Sequence, residues 1–325
     1  MKRRVKQIIF LLIVVILLLL GIIVFLKIQE NKQILSTYFQ ENEEDDTVVY
    51  DGKRYRYNDD LDNYLFMGID TMEPIETYEV RGTSGQADSI YLLVYNRQTR
   101  QICGLAIPRD TITDIHVIAA DGTDLGNKKD HINIQYAFGD GERESCELMR
   151  EAVSNLLYGV PIRGYCALNM ESIPIATEAI GGVELTVPDN TLAAVNADFY
   201  EGNHVTITRE TAEQFVRYRD ITQSQSAISR MDRQKVFIKA FATKAKTMAS
   251  QQKNFIVDMY ESVEDYMVTN MSVELFADLA NSADVSEKKI VNLPGKGIDG
   301  EDFDEYYINE EQLYELILQI FYEEV

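Results

Sequence analysis

Residues 87–110 read ADSIYLLVYNRQTRQICGLAIPRD, and their pattern decides the fold. Ser89–Tyr95 and Gln101–Ile107 are short apolar runs rich in strand-forming residues, separated by a polar turn at Asn96–Arg100. Both are apolar at odd and even positions alike, the mark of strands in the middle of a sheet covered on both faces. Joined by so short a turn, they form an antiparallel hairpin. With the turn centred near Gln98, residues equidistant from it pair, which sets Asp88 opposite about Pro108 and brings Arg109 and Asp110 to the same sheet end.

Outward from the hairpin, strands and helices alternate. Tyr64–Ile69 (YLFMGI) and Tyr165–Leu168 read as strands. Glu142–Leu157 has helical spacing and ends near Gly159-Val160-Pro161, and Glu171–Ile180 is a helix stopped by Gly181-Gly182. Val183–Val187 is a strand ended by Pro188; Thr208 caps a helix over Arg209–Val216, and Met231–Ala249 is a longer helix. Helices at Ser272–Asn281 and Glu310–Tyr322 bracket a strand at Lys289–Leu293. The expected fold class is α/β, a mixed central β-sheet sandwiched by helices.

The chain has 325 residues, 46% of them hydrophobic, enough for a sizeable core. Its 31 Lys and Arg face 53 Asp and Glu, and the imbalance is uneven. Residues 1–27 carry five bases and no acid, which leaves 26 bases against 53 acids beyond them, a balance of −27. A body so acidic is repelled by a phosphate backbone, so nucleic acid is excluded as a general partner, and an anionic ligand needs a local cluster of bases or a metal. Ile8–Leu26 is an unbroken apolar stretch whose helix, at about 1.5 Å per residue, spans roughly 28 Å, a bilayer core. Four bases before it place residues 1–7 in the cytoplasm and the rest outside the cell, and its length, with no small-x-small site after it, favours a retained transmembrane helix at 8–26 over a cleaved signal peptide. Residues 27–54 are polar with an acidic run, Glu41–Asp46, and read as a stalk; 55–325 reads as one extracellular domain. Three cysteines, Cys103, Cys146 and Cys166, allow at most one internal bridge and read best as small buried hydrophobes.

Two groups of residues carry chemistry. Asp88 and Asp110, gathered at one sheet end beside Arg109, suit an oxygen-loving cation such as Mg²⁺, which takes one or two protein carboxylates and completes its shell with water and phosphate. Spacing alone favours the plainer reading, in which Asp88 opens a strand and Asp110 caps a turn. Arg217 and Arg219 in FVRYRD face one way if the chain past the helix is extended, and Arg230, Arg233 and Gln234 in SRMDRQ share one face of a helix start. Guanidinium forks match phosphate oxygens. Salt bridging to surplus acids, including Asp220 and Asp232, accounts for them as well. His116 and His204 lie in expected loops without metal-ligand partners. No GxSxG, HExxH or Walker pattern is present.

The strings YLFMGID, ADSIYLLVYN, ICGLAIPRDT, HINIQYAFGDG, AEQFVRYRD and SRMDRQK, with the long block from Leu157 to Pro188 between them, resemble the LytR-CpsA-Psr family of anchored bacterial cell-surface enzymes. The likeness runs from about Leu61 to the C-terminus and includes VTNMS and NLPGKG. It implies a phosphotransferase that moves a glycopolymer from an undecaprenyl-pyrophosphate carrier to a peptidoglycan hydroxyl at the cell membrane. It further implies Mg²⁺, or Mn²⁺, on Asp88 and Asp110, and catalytic and pyrophosphate-binding roles for Arg109, Arg217, Arg219 and Arg230, with Arg233 and Gln234 completing the last motif. The polyprenyl chain is expected in an apolar tunnel between sheet and helices. Gln86 and His131 stand where the family commonly has basic residues. The alternatives are a pyrophosphatase acting on the same lipid and a non-catalytic lipid-binding surface regulator.

Overall fold

The structure is a computed structural model that describes residues 40–42, 47–220, 226–282, 290–300 and 303–325. The expected cytoplasmic tail and transmembrane helix at 8–26 lie outside the described residues. By contacts the chain divides into two units, one of residues 59–317 and a smaller one holding residues before 59 and after 317.

The larger unit is built on a six-stranded mixed sheet. Its strands are β1 (Leu61–Ile69), β2 (Ala87–Asn96), β3 (Ile102–Ile107), β4 (Gly164–Asn169), β5 (Met267–Thr269) and β6 (Ile290–Asn292), in the order β5-β4-β1-β2-β3-β6. The β1–β2, β2–β3 and β4–β5 pairs are antiparallel, and β1–β4 and β3–β6 are parallel. The expected hairpin is β2–β3, with Ile90 opposite Ile107 and Tyr95 opposite Ile102. Its turn closes through Asn96 N–H to the Gln101 carbonyl at 2.9 Å, with the Asn96 side chain accepting from the amides of Gln98 and Thr99. Four residues lie inside that closure, so the centre falls between Gln98 and Thr99, not on Gln98. Continued by two residues, the register sets Asp88 opposite Arg109, one place beyond the expected Pro108.

The two faces of the sheet are covered differently. Ile90, Leu92 and Val94 on β2 are buried on the face where a 3₁₀ helix (Ile132–Phe138) and α1 (Arg143–Leu156) pack. Tyr91, Leu93 and Tyr95 face the other way and are only part-buried, because that face borders a cavity. Beyond the cavity lie α2 (Ser172–Ala179), α3 (Arg209–Arg217), α4 (Ser226–Gln251), α5 (Phe255–Val263) and α6 (Val273–Ser282). The Gly181-Gly182 stop after α2 holds: both have positive φ, 70° and 82°, and Lys244 Nζ on α4 caps their carbonyls. Thr208 precedes α3 with its amide donating to Thr211 Oγ1 at 3.0 Å. Among the described residues Cys146 and Cys166 are free thiols and fully buried.

Three hairpins differ from the sequence reading. Ile112–Ile118 pairs with Asp124–His131, and Val183–Thr186 with His204–Ile207, so His116 and His204 lie on strands, not in loops. The arm of residues 112–131 is two-stranded and polar, and therefore lacks the apolar run that marks a central strand. Gly295–Asp299 pairs with Asp304–Ile308. In the smaller unit, Gln40–Asn42, Thr47–Tyr50, Lys53–Tyr57 and the C-terminal Tyr322–Glu324 form one sheet, so part of the stretch expected as a stalk is strand. Its turn is Asp51-Gly52, both with positive φ (48° and 74°), the Asp-Gly signature of a two-residue hairpin loop. Helix α7 (Glu310–Phe321) leads into the last strand.

Candidate active site

The sheet end formed by β2 and β3 brings Asp88, Arg109 and Asp110 together. The Arg109 guanidinium bridges the two carboxylates, with Nη1 donating to Asp88 Oδ1 and Nε donating to Asp110 Oδ1 at 3.1 Å. Arg230, on the first turns of α4 and 5% exposed, donates through Nη1 to Asp88 Oδ2 at 3.0 Å and through Nη2 to the Asp88 carbonyl at 3.3 Å. Burial works against the charge on Arg109, but Asp88 and Asp110 outweigh it and hold this guanidinium above its ordinary value. For Arg230 burial wins: its pKa is lowered, with Asp88 opposing and neighbouring Arg109 and Arg219 adding to the effect.

Arg217 and Arg219 follow from how α3 ends. Arg217 is its last residue, and Tyr218 leaves the helix with extended backbone (φ −51°, ψ 133°), as the two-residue spacing anticipated. Both arginines line one open cleft of about 470 Å³ with Arg109, Arg230, Glu213, Gln214 and Tyr218. Four guanidinium groups and a single carboxylate therefore line the cleft, in a chain of strongly negative charge. Arg217 pairs with Glu213 one turn back at 2.8 Å, and Arg219 is held by Ser226 Oγ at 2.7 Å and Asp304 Oδ2 at 2.9 Å. Gathering in one cleft and salt bridging to acids thus both occur, the acids being Asp88, Asp110, Glu213 and Asp304.

Arg233 is placed elsewhere. It is 1% exposed and donates from Nε to the Phe215 carbonyl at 2.5 Å, from Nη1 to Thr191 Oγ1 at 2.9 Å and from Nη2 to the Tyr218 carbonyl. It staples the end of α3, and so the turn carrying Arg217 and Arg219, and does not line the cleft. Gln234 accepts from Ser89 Oγ at 3.0 Å and donates to the Val216 carbonyl at 3.1 Å, at the border between the charged cluster and the apolar cavity. Gln86 and His131 do not line the cleft. Gln86 accepts from Asn133 Nδ2, and His131 Nε2 meets the Asp304 carbonyl at 3.0 Å.

Sequence reasoning missed Asp304, Glu213 and Ser226, since an acid or serine among many carries no signal until the fold sets it beside a named arginine. It also missed Asp70, whose carboxylate accepts from the Gln86 amide at 2.6 Å and whose pKa burial raises.

The apolar cavity adjoins this cluster. It has a volume of about 500 Å³ and runs between the β1–β4 face and helices α2, α4, α5 and α6, with walls that include Phe66, Leu93, Phe237, Phe241 and Phe276. Ser89, Tyr91 and Gln234 border both this cavity and a small recess against Asp88, Arg109 and Arg230. A site that joins an apolar volume of this size to a few convergent charged groups fits an amphiphilic anion.

Comparison with known proteins bears on the fold and the family. A teichoic acid transferase of Bacillus licheniformis named polyisoprenyl-teichoic acid–peptidoglycan teichoic acid transferase TagU is 27% identical over 246 residues, covering 73% of this chain and 71% of its own. Among solved structures, the Lin1025 protein of Listeria innocua superposes with a TM-score of 0.55 at 26% identity, over 80% of this chain and 96% of its own. The structure titled TagT bound to LI-WTA superposes with a TM-score of 0.59 at 19% identity, over 81% and 90%. The LytR_cpsA_psr family profile matches residues 23–320, and the chain belongs to that family.

Proposed function

We propose that this chain transfers a glycopolymer from a polyprenyl-pyrophosphate carrier to a hydroxyl of peptidoglycan, acting outside the cell from an anchor at residues 8–26. The observation that carries the reading is a four-arginine cleft and an apolar cavity of about 500 Å³ on either side of one small recess, which shares Arg109 and Arg230 with the cleft and Ser89, Tyr91 and Gln234 with the cavity. The first is complementary to a pyrophosphate and the second to an isoprenoid chain. The names of the transferase relatives support the same donor and acceptor.

In this mechanism Arg217 and Arg219 take the pyrophosphate oxygens at the cleft rim, while Arg109 and Arg230 face those nearest Asp88. Phosphoryl transfer depends mainly on positioning and on fixed charges that meet the charge developing in the transition state. An acceptor hydroxyl oxygen attacks the phosphorus that bears the glycopolymer. The bond to the bridging oxygen breaks, polyprenyl phosphate leaves with the electron pair, and the hydroxyl proton passes to Asp88 or Asp110 at the sheet end.

Asp88 and Asp110 would hold the divalent cation. Their chemistry fits: two carboxylates at one sheet end are the hard oxygen donors that Mg²⁺ or Mn²⁺ takes, with water and phosphate completing the shell. Such an ion supplies charge neutralisation on phosphate oxygens.

The test is product analysis with the full chain, a lipid-linked glycopolymer and peptidoglycan. Polymer bound to peptidoglycan is expected, lost in Asp110→Ala and Arg217→Ala, abolished by EDTA and restored by Mg²⁺. Full transfer by either variant would sink the assignment. Release of free polymer phosphate, unaffected by added peptidoglycan, would instead mark a pyrophosphatase.

A further inference from the structure

Tyr91 projects from β2 on the cavity face, between Ser89 and Leu93. Its ring borders the apolar cavity and also the recess against Asp88, Arg109 and Arg230. The neighbouring polar side chains at this neck are partnered: Ser89 donates to Gln234, and Gln234 donates to the Val216 carbonyl. The Tyr91 hydroxyl has no accessible surface and no hydrogen-bond partner. Of the buried, partnerless side-chain atoms among the described residues, it is the one that belongs to a residue lining the cavity.

An unmade hydrogen bond at a buried donor is destabilising, and Phe would supply the same ring without that cost. The hydroxyl is therefore anomalous as packing. Burial pushes the phenol well above its ordinary range, with Asp232 adding and Arg230 opposing, so it stays a neutral donor. The recess has a volume of about 10 Å³, room for about one oxygen-sized group. A donor without a partner, on a residue that lines both the apolar cavity and the recess against two arginines, matches the phosphate end of an amphiphile.

We propose that Tyr91 Oη donates a hydrogen bond to a phosphate oxygen of the lipid-linked ligand, at the point where its apolar chain passes from the charged cleft into the cavity. This deepens the transferase reading and rests on it. It makes Tyr91 a specificity-determining residue, one that separates an isoprenoid phosphate from the corresponding alcohol.

Tyr91→Phe in the full chain, held in detergent micelles, tests this against three probes: undecaprenyl phosphate, undecaprenol and inorganic pyrophosphate. The expected result is binding of undecaprenyl phosphate weakened about fivefold to tenfold, as for the loss of one hydrogen bond of about 1–1.4 kcal/mol. Affinity for undecaprenol and for pyrophosphate stays the same, and the thermal midpoint is unchanged or raised because no internal bond is lost. Equal affinity of both forms for undecaprenyl phosphate overturns the proposal, as does an equal loss for undecaprenol, which would mark a packing effect. A midpoint lower by several degrees overturns it too, since the hydroxyl then has a partner within the protein. Wild-type protein that binds neither lipid refutes the transferase reading itself, a result separable from one in which lipid binds and the substitution has no effect.

Discussion

Arg233→Met separates a staple from a ligand. The sequence places Arg233 with the pyrophosphate-binding arginines, whereas the structure spends its guanidinium on the carbonyls of Phe215 and Tyr218 and the hydroxyl of Thr191. Methionine keeps most of the aliphatic volume and donates nothing. Three hydrogen bonds from a charged donor, at about 1.5–3 kcal/mol each, amount to roughly 5–9 kcal/mol. Against this stands the cost of burying the charge. Burial pulls the Arg233 pKa down to about 10, with Asp189 opposing and Arg230 adding. From the ordinary 12.5 that is a displacement of between two and three units, or about 3 kcal/mol. The net loss expected is about 2–6 kcal/mol, which spans the range found when a buried charge network is broken. Urea unfolding followed by circular dichroism measures it as a lower midpoint at unchanged slope. Arg233→Lys, which keeps the charge but not the fork, should fall between wild type and Arg233→Met. A loss below about 0.5 kcal/mol in Arg233→Met, accompanied by a large drop in pyrophosphate affinity, would refute the staple and restore Arg233 to the ligand set.

Other perturbations probe the rim, the cavity and the acid beside the hairpin. Glu213→Gln frees Arg217 from an exposed ion pair worth about 0.3–1 kcal/mol, so pyrophosphate should bind about twofold to fivefold more tightly by calorimetry; weaker binding would mean that Glu213 orients the arginine. Ala242→Phe places a ring in the apolar cavity and should abolish retention of isoprenoid lipid, read by mass spectrometry, with little change in thermal midpoint. Asp70 has a folded pKa raised by burial, so the folded state binds its proton more tightly than the unfolded state, and this contribution to stability is lost as pH rises from about 3.8 through the folded value. Asp70→Asn keeps an acceptor for the Gln86 amide and removes the charge, so its stability relative to wild type should be greater at pH 7 than at pH 4; a difference independent of pH excludes this origin.

The central hairpin was legible because its apolar runs and its turn are local signals, and its register missed by one residue because a turn of even length has no central residue. Other boundaries needed tertiary packing. Helix α4 begins at Ser226, five residues before the expected Met231, and Phe255–Val263 gave no isolated helical signal. The two-sided apolar pattern of β2 has two physical outcomes in one strand. Ile90 and Val94 are buried away from the cavity, while Tyr91 and Leu93 line it. Hydrophobicity encodes avoidance of water, not the presence of a neighbour, so the sequence permits the cavity without requiring it. The arginines sort for a similar reason. Arg230 and Arg233 lie three residues apart on one helix, and only the position of the α3 terminus decides which of them reaches the cleft and which is consumed by backbone carbonyls.

The ion pairs explain how four guanidinium groups share one cleft without a ligand. Arg230 feels Arg109 and Arg219 as like charges, and Asp88 opposes them by taking one donor from Arg230 and one from Arg109. That inner set is buried, so removing any one member leaves an uncompensated charge, and it behaves as a fixed unit. The rim differs. Arg217 is paired to Glu213 with 47% of its side chain exposed, and such a pair is held weakly enough for a phosphate oxygen to replace the carboxylate. Arg219 is intermediate, tied to Ser226 and Asp304 and mostly covered. Charge on the rim is therefore exchangeable while charge at the sheet end is not. A pyrophosphate that displaces Glu213 brings more negative charge than it removes, and it meets an inner arrangement that needs little reorganisation, the condition under which fixed charges lower a barrier most.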